Sequence, residues 1–193
     1  MDAAAWDARY EGGQVWSVEP NRFVVAELAD LSPGRALDVA AGEGRNAIWL
    51  AEQGWSVVAV DFSKAGIAKA ERLGAERGVE VDWVCADVLT YEPPAPFDLV
   101  LVCYLHLPAE QWAQVLATSV AALRPGGTLV IIGHDRSNIA DGHGGPQDPA
   151  ILTTPPEIVD QLGEAVTVER AEVLERQVDA HVALDHLVRA VKR

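Results

Sequence analysis

Three aspartates, a glycine turn and two histidines are the residues of this chain whose types and spacing could do chemistry. Asp38 precedes the turn Gly42-Glu43-Gly44-Arg45-Asn46-Ala47, Asp61 closes the next apolar run, and Asp87 stands just past a third. The turn satisfies G-x-G-x-x-G/A, with a strand pattern before it, a helix pattern after it and an acidic residue downstream, as dinucleotide sites have. Its physics is general: glycines let a ligand approach the backbone, and the helix N-terminus offers free N–H groups. Charge narrows the choice. Glu43 inside the turn and Asp38 four residues before Gly42 put two carboxylates where a pyrophosphate would lie, which disfavours a dianion and suits a ligand carrying an ammonium or sulfonium. Aspartates at strand ends also cap turns, but three in succession at one sheet edge favour a ligand site.

His106, in "CYLHLP", and His134, opening "HDR", each follow an apolar run. An imidazole there titrates near neutral pH and can move a proton, or it can simply start a loop. Arg136 could grip an anionic group on a substrate; solvation of the loop is the competing explanation. His134, Asp135 and His143 offer nitrogen and oxygen donors, but their spacing matches no regular site and no metal is expected. His181 and His186 read as surface or pairing residues. Cys103 reads as a core residue beside the site rather than a nucleophile, because nothing basic adjoins it.

Alternating helical and extended patterns must position these groups. Helical spacing predicts helices over Arg22 to Leu31, Gly44 to Gln53 with Gly54 at its end, Ser63 to Arg77 ended by Gly78, Pro108 to Leu123, and a short one from Thr154-Pro155 to Leu162. Apolar runs predict strands over Arg35 to Ala41, Ser56 to Val60, Val79 to Cys85, Phe97 to Leu105, Thr128 to Gly133, Ala165 to Val178 and His181 to Val191. Strand and helix in succession imply right-handed crossovers and an α/β, Rossmann-like, doubly wound sheet of seven strands, mostly parallel, with a reversed C-terminal strand. Residues 135–153 lack periodicity and are rich in Gly, Pro and Asp, so a flexible loop near the substrate site is expected there.

With 193 residues, one domain spanning 1–193 is expected. A formal charge of -14 argues against nucleic acid and anionic membrane surfaces as partners. The opening residues show no basic segment followed by an apolar core, and no run approaches the ~18 apolar residues of a membrane span. Cys85 and Cys103, each within an apolar run, read as buried thiols in a reducing compartment. A cytoplasmic protein, monomer or homodimer, is expected.

"LDVAAGEGRNAIWLA", from Leu37, resembles the first motif of class I S-adenosylmethionine-dependent methyltransferases, in which an acidic residue precedes a G-x-G-x-G turn. "CADVLTYEP", "FDLVLVCYLHLP" and "LRPGGTLVIIGHD" are similar to later motifs of that family, in the same order, and the terminal pair is similar to its sixth and seventh strands. The resemblance implies S-adenosylmethionine as cofactor. It assigns Asp38, Ala40, Gly42, Gly44 and Asn46 to the turn that holds it, Asp61 to the ribose hydroxyls, Phe62 to the adenine face, Asp87 to the adenine amino group with Ala86 and Val88 beside it, and Cys103 to the pocket wall. It places His106 as a catalytic candidate beside the reacting methyl group; His134, at the carboxyl edge after the fifth strand where ligands gather in such sheets, is the second. Ala40 departs from the pattern, standing where the family has the first glycine, and alanine is expected there only with φ below zero.

Arg45-Asn46, the short chain and "WDARYEGGQVWSVEPN" are most similar to the small-molecule branch containing tellurite-resistance and thiopurine methyltransferase-like proteins. That branch implies an N-terminal lid, residues 1–21, with Trp6, Tyr10 and Trp16 over the cofactor; the same aromatics could equally be the buried face of a helix. "CYLHLP" lacks the Asn/Asp-Pro-Pro-aromatic signature of enzymes that methylate nucleic-acid amino groups. The expected activity is methyl transfer to an O, N, S or chalcogen atom of a small molecule. An NAD-dependent oxidoreductase is the runner-up, weakened by the acidic turn and the missing Tyr-x-x-x-Lys pair, and a non-catalytic S-adenosylmethionine-binding regulatory protein is the third reading.

Overall fold

The seven strands lie in the order β3-β2-β1-β4-β5-β7-β6, with β1 Arg35–Val39, β2 Ser56–Asp61, β3 Asp82–Cys85, β4 Phe97–Cys103, β5 Leu123–His134, β6 Val166–Val178 and β7 His181–Lys192. This computed structural model describes residues 2–94 and 96–193, so position 1 of the expected lid segment lies outside the described residues. Neighbouring strands are parallel except where β7 runs against β5 and β6. Only the seventh strand is therefore reversed, as expected of the C-terminal strand; β6, added outside β7, regains the common direction.

The strands alternate their side chains between two covered faces. Leu37 and Val39 point to the side packed by α5 (Ala109–Ala122) and α7 (Pro155–Leu162), where Trp112, Val115, Leu116, Ile158 and Leu162 are buried. Ala36, Ala59, Leu99 and Leu101 face α2 (Arg22–Leu28) and α3 (Arg45–Glu52), through Val24, Leu28, Ala47 and Leu50. Asp38 shares the phase of Ala36, so it points toward α3 rather than into the α5 side. The strand order reverses between β1 and β4, which opens a crevice at their carboxyl ends, the usual ligand position in such sheets.

Caps set several boundaries. Ser63 accepts from the Gly66 N–H at the start of α4 (Lys64–Arg77), and Gly78 ends it in the left-handed conformation. The Val79 N–H bonds to the Gly74 carbonyl and the Gly78 N–H to that of Ala75, a Schellman closure. That closure occupies Val79, so β3 begins at Asp82 rather than at Val79 as the apolar run suggests. β4 stops at Cys103 because Tyr104 turns to φ 58°. β3 is an edge strand paired with β2 alone, and Cys85 on it is exposed, which corrects the expectation of two buried thiols.

Two segments without predicted elements are ordered by side-chain-to-backbone bonds. α1 (Ala3–Glu11) is capped by Asp2, whose carboxylate accepts from Ala5 N–H at 3.0 Å. Residues 135–153 contain α6 (Asn138–Asp141) and a 3-10 turn over Pro149–Ile151. Asn138 is buried, donating to the Gly144 carbonyl at 2.8 Å and accepting from Leu184 N–H at 2.7 Å. The expected flexible loop is thus a pinned arm lying along the carboxyl end of β5 and the amino end of β7. Among the described residues no helix is long and apolar enough to cross a membrane.

Candidate functional site

The turn after β1 takes left-handed backbone at alternate positions, Ala40 at φ 60°, Gly42 at 58° and Gly44 at 80°. The condition on Ala40 thus fails, since its φ is positive; the methyl group sits in a conformation costing roughly 1–2 kcal/mol for an L-residue. At Gly44 the absent Cβ matters for packing, because it would lie 2.5 Å from the Trp83 ring. At Gly42 it would lie 2.8 Å from the Tyr10 hydroxyl.

Two buried carboxylates face this turn. Asp61 accepts from Gly42 N–H at 2.8 Å through Oδ2 and from Ser63 N–H at 2.9 Å through Oδ1, tying the ends of β1 and β2 together. Burial raises its pKa, and those two bonds offset part of the rise. Each oxygen keeps acceptor capacity for a ligand donor. Asp38 is 1% exposed and neither carboxylate oxygen makes a hydrogen bond among the described residues. Burial, then the negative charge of Asp61, pushes its pKa up to about 7; the Arg45 charge and the nearby Ala47 amide counter this only partly. An unpaired carboxylate at that depth is costly unless something positive or proton-donating meets it.

The N-terminal segment lies over the turn. Trp6 and Tyr10, one helical turn apart on α1, stack with centroids 5.4 Å apart, and the Trp16 indole N–H reaches the Tyr10 hydroxyl at 3.4 Å. Tyr10 is buried and its phenol is pushed up to about 12 by that burial. Tyr10 is the buried residue of α1 and its hydroxyl stands over Gly42, whereas Trp16 lies beyond the helix and is exposed. Glu43 has a different job from the one its position suggested. Its carboxylate accepts from Val15 N–H at 3.1 Å and Trp16 N–H at 2.9 Å, and pairs with Lys69 at 3.1 Å. It ties down the segment, leaving Asp38 and Asp61 to set the charge of the crevice. Asp7 adds a second tie, accepting from Ser63 Oγ at 2.5 Å and Ala65 N–H at 3.0 Å.

A second cluster stands at the carboxyl ends of β4 and β5. The rings of Tyr104, His106 and His134 lie together, with centroids 5.1 Å (Tyr104–His134), 5.6 Å (His106–His134) and 6.4 Å (Tyr104–His106) apart. Beneath them is Asp185, wholly buried, accepting from the Tyr104 hydroxyl and from Arg176 Nε, both at 2.6 Å, with His134 Nδ1 at 3.1 Å. Burial alone would raise the Asp185 pKa; His134 close beside it and the bonds from Arg176 and Tyr104 outweigh that and hold the carboxyl at about 2. Burial lowers His106 to about 3, so its imidazole is neutral. Asn21 joins the two clusters: its N–H donates to Asn46 Oδ1 at 2.9 Å, and its side-chain amide reaches the Tyr104 hydroxyl at 3.4 Å. β1, β4 and β5 are adjacent, so Asp38 and His134 stand on strands about 10 Å apart, two strand spacings.

Several predicted residues play other parts. Asp87 is exposed, accepting from Leu89 N–H at 2.9 Å, while its carbonyl receives the Thr90 and Tyr91 N–H groups, so in this structure it builds a turn. Phe62 is half-buried, as are Ala86 and Val88, which pack beside the core. Cys103, pushed up to about 12 by burial, is no nucleophile. Arg136 is committed to Glu157 at 2.6 Å and to the Leu152 carbonyl at 2.7 Å, and so is fastened to the arm rather than offered to a substrate. His143 stacks on His181 with centroids 4.0 Å apart, and no group of three or more metal-ligating side chains is found among the described residues. His186 is buried, not superficial: Gly133 opposite it gives the ring room, since a Cβ there would lie 2.8 Å from Cε1. Sequence reading missed Tyr104, Arg176, Asp185 and Asn21. One signal existed, a charged Asp185 in the inward phase of an apolar strand.

Comparison with known proteins agrees with this geometry. A family described as "Methyltransferase domain" matches residues 36–127. The ubiquinone biosynthesis O-methyltransferase of Xylella fastidiosa is 31% identical over 131 residues, 65% of this chain and 52% of that protein. The chain thus spans about half the length of such relatives. Among solved structures, the N-methyltransferase NodS from Bradyrhizobium japonicum, in complex with S-adenosyl-L-homocysteine, superposes with a TM-score of 0.77 at 17% identity, over 98% of this chain and 97% of that one. TehB from Haemophilus influenzae gives 0.76 at 15% identity, over 90% and 62%. At these identities the structures speak for the fold.

Proposed function

We propose that this chain, whose residues 36–127 belong to the methyltransferase domain family of the class I, S-adenosylmethionine-dependent kind, transfers a methyl group from S-adenosylmethionine to a small-molecule acceptor. The carrying observation is Asp38, a buried carboxylate without a hydrogen-bond partner beside the glycine turn, with Asp61 next to it. Together they favour a ligand bearing an ammonium and a sulfonium and disfavour the pyrophosphate of a dinucleotide.

In this reading the free acceptor capacity of Asp61 receives the ribose hydroxyls, Phe62 covers the adenine face, and Asp87 with Ala86 and Val88 flanks its edge. Asn46 and the turn at 40–44 hold the amino-acid end. Trp6, Tyr10 and Trp16 close over it and exclude water. When bound, the donor supplies a methyl carbon already activated by positive sulfur, which leaves the protein to align an acceptor for in-line displacement. His106 and His134, at the ends of β4 and β5, face that acceptor. The names of relatives, a ubiquinone biosynthesis O-methyltransferase and a demethylmenaquinone methyltransferase, make quinone-related compounds the first class to try.

The test is incubation of the full chain with S-adenosylmethionine and a panel of phenols, thiols, amines and chalcogen oxyanions, reading S-adenosylhomocysteine release. Acceptor-dependent release, lost in Asp61→Ala, is expected. Donor binding without release from any acceptor would leave a binding protein in place of the enzyme.

A further inference from the structure

His134 and Asp185 are directly opposed across the antiparallel pair β5–β7, the arrangement in which cross-strand side chains meet most closely. We propose that Asp185 fixes His134 as the tautomer protonated on Nδ1, leaving Nε2 to take a proton, so that the methyl acceptor is a nucleophile with a proton to lose, such as a phenol or thiol. This rests on the methyl-transfer reading above and deepens it.

Asp185 is placed with unusual completeness for a side chain no ligand has been assigned to. Its Oδ2 receives the Tyr104 hydroxyl and Arg176 Nε, both at 2.6 Å, and Arg176 Nη2 approaches Oδ1 at 3.4 Å. Tyr104 is itself held at φ 58°, with its N–H on the Ile132 carbonyl at 2.7 Å. A non-glycine residue kept in that conformation is over-determined by its surroundings. What remains of Oδ1 lies 3.1 Å from His134 Nδ1, close enough for charge to act although the pair falls outside hydrogen-bond geometry. A neutral imidazole has one N–H, and a bare nitrogen lone pair that close to a carboxylate is repelled, so the proton sits on the nitrogen beside Asp185. Asp185, Tyr104 and Arg176 are then positioning residues, and His134 is the group that meets the acceptor.

The step balances without a further reagent. The acceptor's O–H or S–H proton passes to Nε2, its electron pair forms the bond to the methyl carbon, and the pair of the broken carbon–sulfur bond stays on sulfur. The positive charge that began on the sulfonium ends on the imidazolium, next to Asp185. An acceptor without a proton to lose, such as a tertiary amine or a thioether, gains nothing from this arrangement. The titratable and charged groups around the imidazole are Tyr104 and His106 beyond β4, Asp135 beyond β5, Arg176 on β6, and Asp185 and His186 on β7.

Two measurements on the full chain decide it. In nitrogen-15 NMR at pH 7.5 the His134 ring is expected as the Nδ1–H tautomer; an Nε2–H ring overturns the proposal whatever the acceptor. In transfer assays with 4-methylcatechol and thiophenol against N,N-dimethylaniline and dimethyl sulfide, only the protic pair is expected to react. His134→Gln should lower kcat about 100-fold at pH 7 while S-adenosylmethionine affinity holds within about twofold. The lost rate should return as pH rises and the acceptor ionises by itself, a recovery no purely structural role would produce. Transfer to the proton-free pair, a His134→Gln effect under about threefold, or no reaction of either protic probe by a protein that binds the donor, overturns it. Failure of the wild type to bind S-adenosylmethionine would instead remove the reading beneath, while the NMR result still stands on its own.

Discussion

Asp38→Asn should stabilise the ligand-free protein while weakening its hold on the methyl donor. The Asp38 side chain lies wholly inside the protein without a hydrogen bond of normal geometry, and its pKa rises from 3.8 to about 7. Folding therefore takes up a proton between about pH 4 and pH 7, because the native carboxyl keeps a proton that the unfolded chain has released. Stability falls as pH rises through that window, by up to about 4 kcal/mol above pH 7. Asparagine keeps the volume and removes the charge. Its amide is also short of partners, at a cost of roughly 1–3 kcal/mol, so a net gain of about 1–3 kcal/mol is expected at pH 7.5. For a chain of this size that raises Tm by about 3–10 °C. The gain should shrink toward pH 4, where both proteins are neutral at this position. Urea unfolding of both proteins from pH 4.5 to 8, with calorimetric titration of the donor at pH 7.5, tests both halves. A variant less stable than wild type at pH 7.5, or a stability gap independent of pH, would refute the reasoning.

Asp61→Ala removes the acceptor of the Gly42 and Ser63 N–H groups; it should weaken S-adenosylmethionine binding by roughly 1–3 kcal/mol in calorimetry, and unchanged affinity would dissociate Asp61 from the ribose. Ala40→Gly relieves a left-handed alanine, and a gain of about 0.5–1 kcal/mol in urea unfolding is expected once the extra freedom of the unfolded glycine is subtracted. Glu43→Gln discharges the carboxylate that gathers Val15, Trp16 and Lys69; limited proteolysis between residues 12 and 20 should accelerate, and donor affinity should fall several-fold. Equal cleavage rates would mean that α1 alone holds the segment.

The repeating units were legible because each carries its own punctuation. Ser63 and Gly78 bracket α4 by side-chain cap and left-handed turn, and β2 is an unbroken apolar run between two covered faces. Strands β6 and β7 are antiparallel because the two-residue link Asp179-Ala180 can join no other kind of pair, whereas the place of β7 beside β5 is set by long-range pairing. The left-handed Ala40 escaped because φ at an alanine is imposed by the closure of the turn around Asp61, a contact between residues far apart in sequence. Glu43 was misread for a similar reason: its position inside the turn is local, whereas its partners at 15, 16 and 69 are not. The second cluster was only half visible. His106 and His134 stand at strand ends, where position alone draws attention, but Asp185 and Arg176 meet them through the register of β5, β7 and β6. Arm 135–153 looked unstructured because its order comes from Asn138, Asp135 and Arg136 bonding to backbone rather than from any periodic apolar face.

Parallel calorimetric titrations of the full chain with S-adenosylmethionine, S-adenosylhomocysteine and NAD test most directly whether the crevice beside Asp38 and Asp61 selects a methyl donor. Micromolar binding of the first two, with no heat from NAD, is expected. Binding of NAD alone would contradict it, because a pyrophosphate would then have been accepted beside two buried carboxylates.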